Sequence, residues 1–134
     1  LVFAVHPRTR AAAERAGLEG LLEATNNFRV VPPLSYRENL GLMAGARLVM
    51  TDSGGMQEES SVLGVPCLTL RDNTERPVTV ASGTSRLVGN DPDRITAAFD
   101  DAVAGRWSGG GEIPLWDGRA GERVAAAILH LVNA

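Results

Sequence analysis

The sequence predicts an α/β domain, a parallel β-sheet covered by helices on both faces. Three observations predict it. Short apolar runs of strand length alternate with helical patterns along the chain. The first such run is continuously apolar, as in a strand buried on both faces. Helix-start and helix-stop residues, among them Ser35, Gly64 and Pro66, punctuate the alternation.

Taken in order, residues 1–5 (LVFAV) form the first strand. Residues 8–24, rich in Ala, Glu, Arg and Leu, form a helix. A second strand, 28–31, is stopped by Pro32 and Pro33, and a second helix begins at Ser35, with Ser35 and Glu38 in capping-box spacing. Residues 48–50 form the third strand and 56–63 the third helix, closed by Gly64 and Pro66. Strand four is 67–70. A short helix follows near 78–81, then strand five at 85–88. From Asp93, residues Ile95, Ala98, Phe99, Ala102 and Val103 form an amphipathic stripe. A glycine-rich loop, GRWSGGGEIPLWDG, leads to a last helix carrying Ala120, Val124, Ala127, Ile128 and Leu131 on one face. Both stripes are expected to find their cover within the chain. The pattern is Rossmann-like, with three layers and a parallel sheet, and residues 1–134 read as one domain.

Bulk properties exclude several classes. The 134 residues are 44% hydrophobic with a formal net charge of −3, which gives no electrostatic footprint for nucleic acid. The apolar runs are too short to span a bilayer. One cysteine, Cys67, excludes an internal disulfide and fits a reducing, cytoplasmic compartment. The chain opens on a strand with no methionine, which predicts a fragment of a longer protein.

The chemistry concentrates in TDSGGMQEES, residues 51–60. In parallel sheets ligands sit outside the carboxyl ends of the strands, and this strand-to-helix junction lies at one of them. Gly54 and Gly55 allow close backbone approach and unusual dihedrals. Their N–H groups lack intrahelical partners and, with the helix dipole, suit a phosphate. Ser53 adds a hydroxyl donor or acts as the helix N-cap; a tight capped turn explains the same residues. Glu59 falls between the inward positions Met56, Ser60 and Leu63, whereas Glu58 is expected to face solvent. An inward carboxylate needs a partner. Both hydroxyls of a ribose would serve, as would a buried arginine, and a nucleotide diphosphate is the better reading. Arg71 and Arg76, in LTLRDNTERPVT, offer fork-shaped donors to phosphate, with Thr74 and Glu75 to orient them. A solvated loop is the plain alternative.

The segments PLSY, TDSGGMQEES, LGVPCLTLRDNTERP, LVG and WDGRAGERV, in this order, resemble the non-hydrolysing UDP-N-acetylglucosamine 2-epimerases. The resemblance runs over nearly the whole chain and implies the C-terminal, UDP-binding half of a two-domain GT-B-type fold. It implies interconversion of UDP-GlcNAc and UDP-ManNAc by elimination and re-addition of UDP, with no cofactor and no metal. By this resemblance Ser53, Gly54 and Gly55 hold the diphosphate, Glu59 the ribose hydroxyls, and Arg76 lies near the departing phosphates. His6 is either a contact to a second, regulatory nucleotide-sugar or a satisfied polar residue at a strand end. The acid and base carboxylates belong to the family's N-terminal domain, outside this chain, and part of the last helix is expected to face that domain. Expected partners are the UDP-sugar substrate and this domain, with a homodimer left open, and neither nucleic acid nor membrane. Two positions depart from the family pattern: Asn39 stands where an aromatic often packs on uracil, and Val78 where Thr-Glu-Arg-Pro is followed by Glu. The competing readings are the UDP-binding half of a hydrolysing epimerase or GT-B glycosyltransferase, and a non-catalytic nucleotide-binding module.

Overall fold

The computed structural model describes residues 1–23, 25–107 and 109–133. They group into two compact units, Leu1–Leu42 and Met43–Ala134.

In the first unit, β1 (Val2–Ala4) pairs in parallel with β2 (Arg29–Val31), and Phe3 stacks on Phe28 with ring centroids 6.3 Å apart. β1 is not buried on both faces as expected: Val2 is exposed, and Phe3 and Ala4 are half-buried. Among the described residues its sheet has two strands, so β1 has a strand partner along one edge only. Helix α1 (Pro7–Arg15) starts on His6, whose Nδ1 accepts the Arg8 N–H at 3.2 Å. The helix expected to reach residue 24 ends at Arg15 because Gly17 turns the chain left-handed, with φ at 67°. There Gly17 N–H donates to Glu14 O and Leu18 N–H to Ala13 O, the bonds of a Schellman stop. A 3₁₀ turn, Glu19–Leu22, follows, and Ala24 lies outside the described residues. Helix α2 (Tyr36–Ala44), which runs into the second unit, opens on the expected capping box. Ser35 N–H donates to Glu38 Oε2 at 2.8 Å, and Glu38 N–H to Ser35 Oγ at 3.4 Å. The Ser35 hydroxyl, and then its N–H, hold the Glu38 carboxyl below its usual pKa.

The second unit carries a parallel sheet of β3 (Val49–Thr51), β4 (Cys67–Thr69) and β5 (Ser85–Leu87), in that order. The strands thus fall into two parallel sheets rather than one. Every residue of the central β4 is buried, and its side chains alternate between two cores. Cys67 joins Met43, Val49 and Val65, a cluster that α3 (Gly54–Leu63) covers with Met56 and Leu63. Leu68 joins Val88 and Ala98, covered by α5 (Pro92–Val103) with Ile95 and by Trp107. A helix therefore lies on each face of this sheet, as the sequence predicts. Cys67 is core, and burial pushes its thiol pKa up. Trp107 packs as expected, under the Arg86 guanidinium at 4.2 Å.

Two expectations about the closing helices change. The α5 stripe is narrower than its sequence implies, because Ala98 and Ala102 are buried while Phe99 and Val103 reach the surface. Helix α6 (Ala120–Val132) has no buried residue at all, and Leu131 is 76% exposed. Its stripe finds no cover among the described residues, because α3 and α5 already occupy both faces of the three-stranded sheet. In the loop before it, the glycines Gly109 to Gly111 are exposed, and Ser108 lies outside the described residues.

Candidate functional site

The register places Thr51, Thr69 and Leu87 at one level, so the loops that follow the three strands leave the same edge of the sheet. Two of these loops carry the predicted polar residues. After β3, Thr51 Oγ1 accepts the Ser53 N–H at 3.0 Å and fixes the turn. Ser53 caps α3, with Oγ accepting the Met56 N–H at 3.5 Å and its carbonyl accepting the Gln57 N–H at 3.2 Å. Among the described residues nothing accepts the N–H groups of Gly54 and Gly55. They stand at the positive end of a ten-residue helix beside an exposed Ser53.

Neither glycine has the unusual dihedrals expected of it, since both have ordinary helical φ signs. A Cβ on Gly54 would meet Arg76 Cγ at 3.8 Å, and one on Gly55 would meet Ser53 Oγ at 3.8 Å, both ordinary contacts. The fold itself therefore does not require glycine at either position, although glycine costs a helix roughly 0.5–1 kcal/mol relative to alanine. Without a Cβ, the backbone of both residues stays open to close approach.

The second loop lies against this helix end. Arg71 makes a two-pronged bond to Glu75, at 3.1 and 3.0 Å, which with its charge holds the Glu75 carboxyl below its usual pKa. Arg76 lies beside Gly54 and precedes the short helix α4 (Pro77–Ala81). Its Nε sits 2.6 Å from Glu58 Oε1, yet this N–H is buried and not aligned on any acceptor. Glu58 is thus not the solvent-facing residue expected: at 100° per residue it flanks the buried stripe on the side where Arg76 stands. Glu59 flanks the opposite side, half-buried, with no hydrogen bond or ion pair among the described residues. It is an unengaged carboxylate one turn below the free amides, beside the buried stripe rather than among its inward positions as expected.

The stripe itself is centred on Gln57 and Ser60, both fully buried. Gln57 was missed, although it precedes Ser60 by three positions and the facial argument applied to Glu59 covers it equally. Thr74 Oγ1 donates to its Oε1 at 2.7 Å. The structure thus brings Ser53, Gly54, Gly55 and Arg76 together, with Glu59 on the same helix. His6 belongs to the first unit, exposed, and acts there as the N-cap of α1. Two clefts of the second unit, about 330 and 310 Å³, are lined by other residues, including Trp107 and Trp116.

The family described as UDP-N-acetylglucosamine 2-epimerase matches residues 1–129. The chain belongs to this family. Its epimerase relatives include that of Methanocaldococcus jannaschii, 36% identical over 132 residues, which are 97% of this chain and 35% of the relative. The solved structure of the M. jannaschii enzyme with UDP-GlcNAc and UDP superimposes on 96% of this chain with a TM-score of 0.83, at 36% identity, and over 35% of its own length. A UDP-2,3-diacetamido-2,3-dideoxy-D-glucuronate 2-epimerase of Pseudomonas aeruginosa is 36% identical over 131 residues, 98% of this chain and 35% of the relative. The chain spans about a third of the length of these epimerases. It matches the C-terminal part of the epimerase fold, with α3 and its glycines inside the matched region.

Proposed function

We propose that this chain is the UDP-binding part of a nucleotide-sugar 2-epimerase that interconverts UDP-GlcNAc and UDP-ManNAc. The observation that carries the reading is the pair of unpartnered amides at Gly54 and Gly55, at a helix N-terminus beside Arg76. Family membership, and a relative solved with UDP-GlcNAc and UDP, support UDP as the anion. In the reaction a base removes the proton on sugar carbon 2 while the bond from carbon 1 to the phosphate oxygen breaks. Carbons 1 and 2 become a double bond, and UDP leaves with one more negative charge than it carried as an ester. Re-addition of UDP, with a proton delivered to the other face of carbon 2, gives the epimer. The residues here act on the departing charge. The two amides and the Ser53 hydroxyl hold the diphosphate, Arg76 meets the charge that develops on it, and Glu59 fixes the ribose through its two hydroxyls.

The reading assigns the acid and base carboxylates to an N-terminal domain facing this edge. It places the protein in the cytoplasm, in keeping with the lone buried thiol and with the absence, among the described residues, of any helix long and apolar enough to cross a membrane. His6 is assigned to the start of α1, with a nucleotide-sugar contact left to the assembled enzyme. Titration of this chain with UDP in a calorimeter, alongside a coupled assay for UDP-ManNAc, tests the reading. Binding without turnover is expected. Absence of UDP binding refutes the site, and turnover by this chain alone refutes the division of labour.

A further inference from the structure

The two loops that meet at the α3 N-terminus are joined beneath the surface. Arg76 N–H donates to Thr74 Oγ1 at 2.9 Å, Thr74 Oγ1 donates to Gln57 Oε1 at 2.7 Å, and Gln57 Nε2 donates to the Ser53 carbonyl at 3.4 Å. The direction of each bond is forced. The Ser53 carbonyl can only accept, so the amide nitrogen of Gln57 turns to it, and the glutamine oxygen takes the threonine proton while the threonine oxygen accepts the Arg76 N–H. Gln57 is fully buried, and the core around Met56 and Leu63 has no need of an amide there. A methionine fills the same volume without the cost of burying polar atoms. What the amide adds is a link between the turn that starts α3 and the residue that precedes α4.

We propose that Gln57 is a positioning residue of the anion site, a buried strut that sets Arg76 at its distance from the Gly54 and Gly55 amides. The proposal rests on the reading of the α3 N-terminus as the diphosphate site. The side chain of Arg76 is held by an ion pair to Glu58, and the strut holds its backbone. Its Nε is buried out of line with Glu58, and a Glu75 carbonyl at 3.3 Å is the one acceptor of its other guanidinium nitrogens among the described residues. The guanidinium is thus placed by few contacts of its own, and the strut fixes the backbone from which it extends.

The experiment uses Gln57→Met and the near-isosteric Thr74→Val, each alone and combined with Arg76→Ala. UDP affinity is read by calorimetry, and amide exchange of ligand-free protein by NMR. Each single variant should weaken UDP about tenfold, the equivalent of one hydrogen bond. In the Arg76→Ala background neither should weaken it further, because the strut acts through Arg76. Exchange at the Arg76 amide should quicken in both, while the β4 amides stay protected. Additive losses on Arg76→Ala, or an unchanged Arg76 amide in Gln57→Met, would overturn the proposal. Failure of the unmodified chain to bind UDP overturns the diphosphate reading instead, and the exchange measurement still decides whether Gln57 holds Arg76.

Discussion

Alanine at Gly54 separates what the fold needs from what the ligand needs. The new Cβ finds Arg76 Cγ at 3.8 Å, Arg76 Nε at 4.0 Å and Glu75 Oε2 at 4.0 Å, none closer than van der Waals contact. The backbone at Gly54 does not have positive φ, so no dihedral strain opposes the change. Alanine is favoured over glycine in a helix by about 1 kcal/mol at interior positions, and less in a first turn. Gly54→Ala should therefore leave the melting temperature unchanged or raise it. Binding should move the other way. A phosphate oxygen about 2.9 Å from the amide nitrogen lies close to the position a Cβ takes, so the bond lengthens or breaks. A hydrogen bond to a charged group is worth roughly 1.5–3 kcal/mol, so UDP should bind roughly 10- to 150-fold more weakly. Thermal unfolding and calorimetry on the same samples give both quantities. Undiminished UDP affinity would show that the ligand does not approach the amide, and a lowered melting temperature would show that the fold itself depends on the glycine.

Three further outcomes follow from the site and the core. Glu58→Gln should bind UDP a few-fold more tightly, because it releases Arg76 from an exposed ion pair of the kind usually worth about 0–1 kcal/mol; Glu59→Gln should bind it more weakly, and calorimetry giving the reverse order would remove Glu59 from the ribose role. Leu68→Ala should cost about 2–5 kcal/mol in denaturant unfolding, whereas Leu131→Ala, on a helix with no buried residue, should stay within about 0.5 kcal/mol; equal losses would mean α6 is part of the core. Because Glu38 has its pKa lowered on folding, its support of α2 is fully present above the ordinary glutamate value and fades as the pH falls through the lowered one. A carboxyl titration by NMR should show Glu38 ionising below free glutamate, and Ser35→Ala should move it back.

Local signals were the most legible. Ser35 with Glu38, and Gly64 after Leu63, are short-range rules, and the bonds they predict are present. Helix α1 is shorter than its sequence implies because Gly17 inside an alanine-rich run is ambiguous in sequence. It is tolerated mid-helix or it stops the helix, and here the left-handed turn stops it. Facial arguments on α3 single out its buried stripe but misassign one flank. Helical period places Glu58 away from the core, yet whether that direction meets water or an arginine depends on a loop eighteen positions later in the chain. The strut through Gln57 is a long-range pairing of the same kind. Helix α6 has a stripe as regular as that of α5, and periodicity alone does not say what covers it.

The pairing of charges around the α3 N-terminus has a consequence for how a ligand is recruited. Arg71 is matched by Glu75 and Arg76 by Glu58, while Asp52 and Asp72 are exposed nearby. An approaching anion therefore meets no net positive field, and the chain as a whole is negative. On the diphosphate reading proposed above, steering at a distance is weak, and recognition waits for contact, when the ligand displaces a carboxylate from an arginine and aligns with two backbone dipoles. Such a site responds little to ionic strength, since what attracts the ligand acts within a few ångströms rather than across a Debye length of about 8 Å in physiological salt.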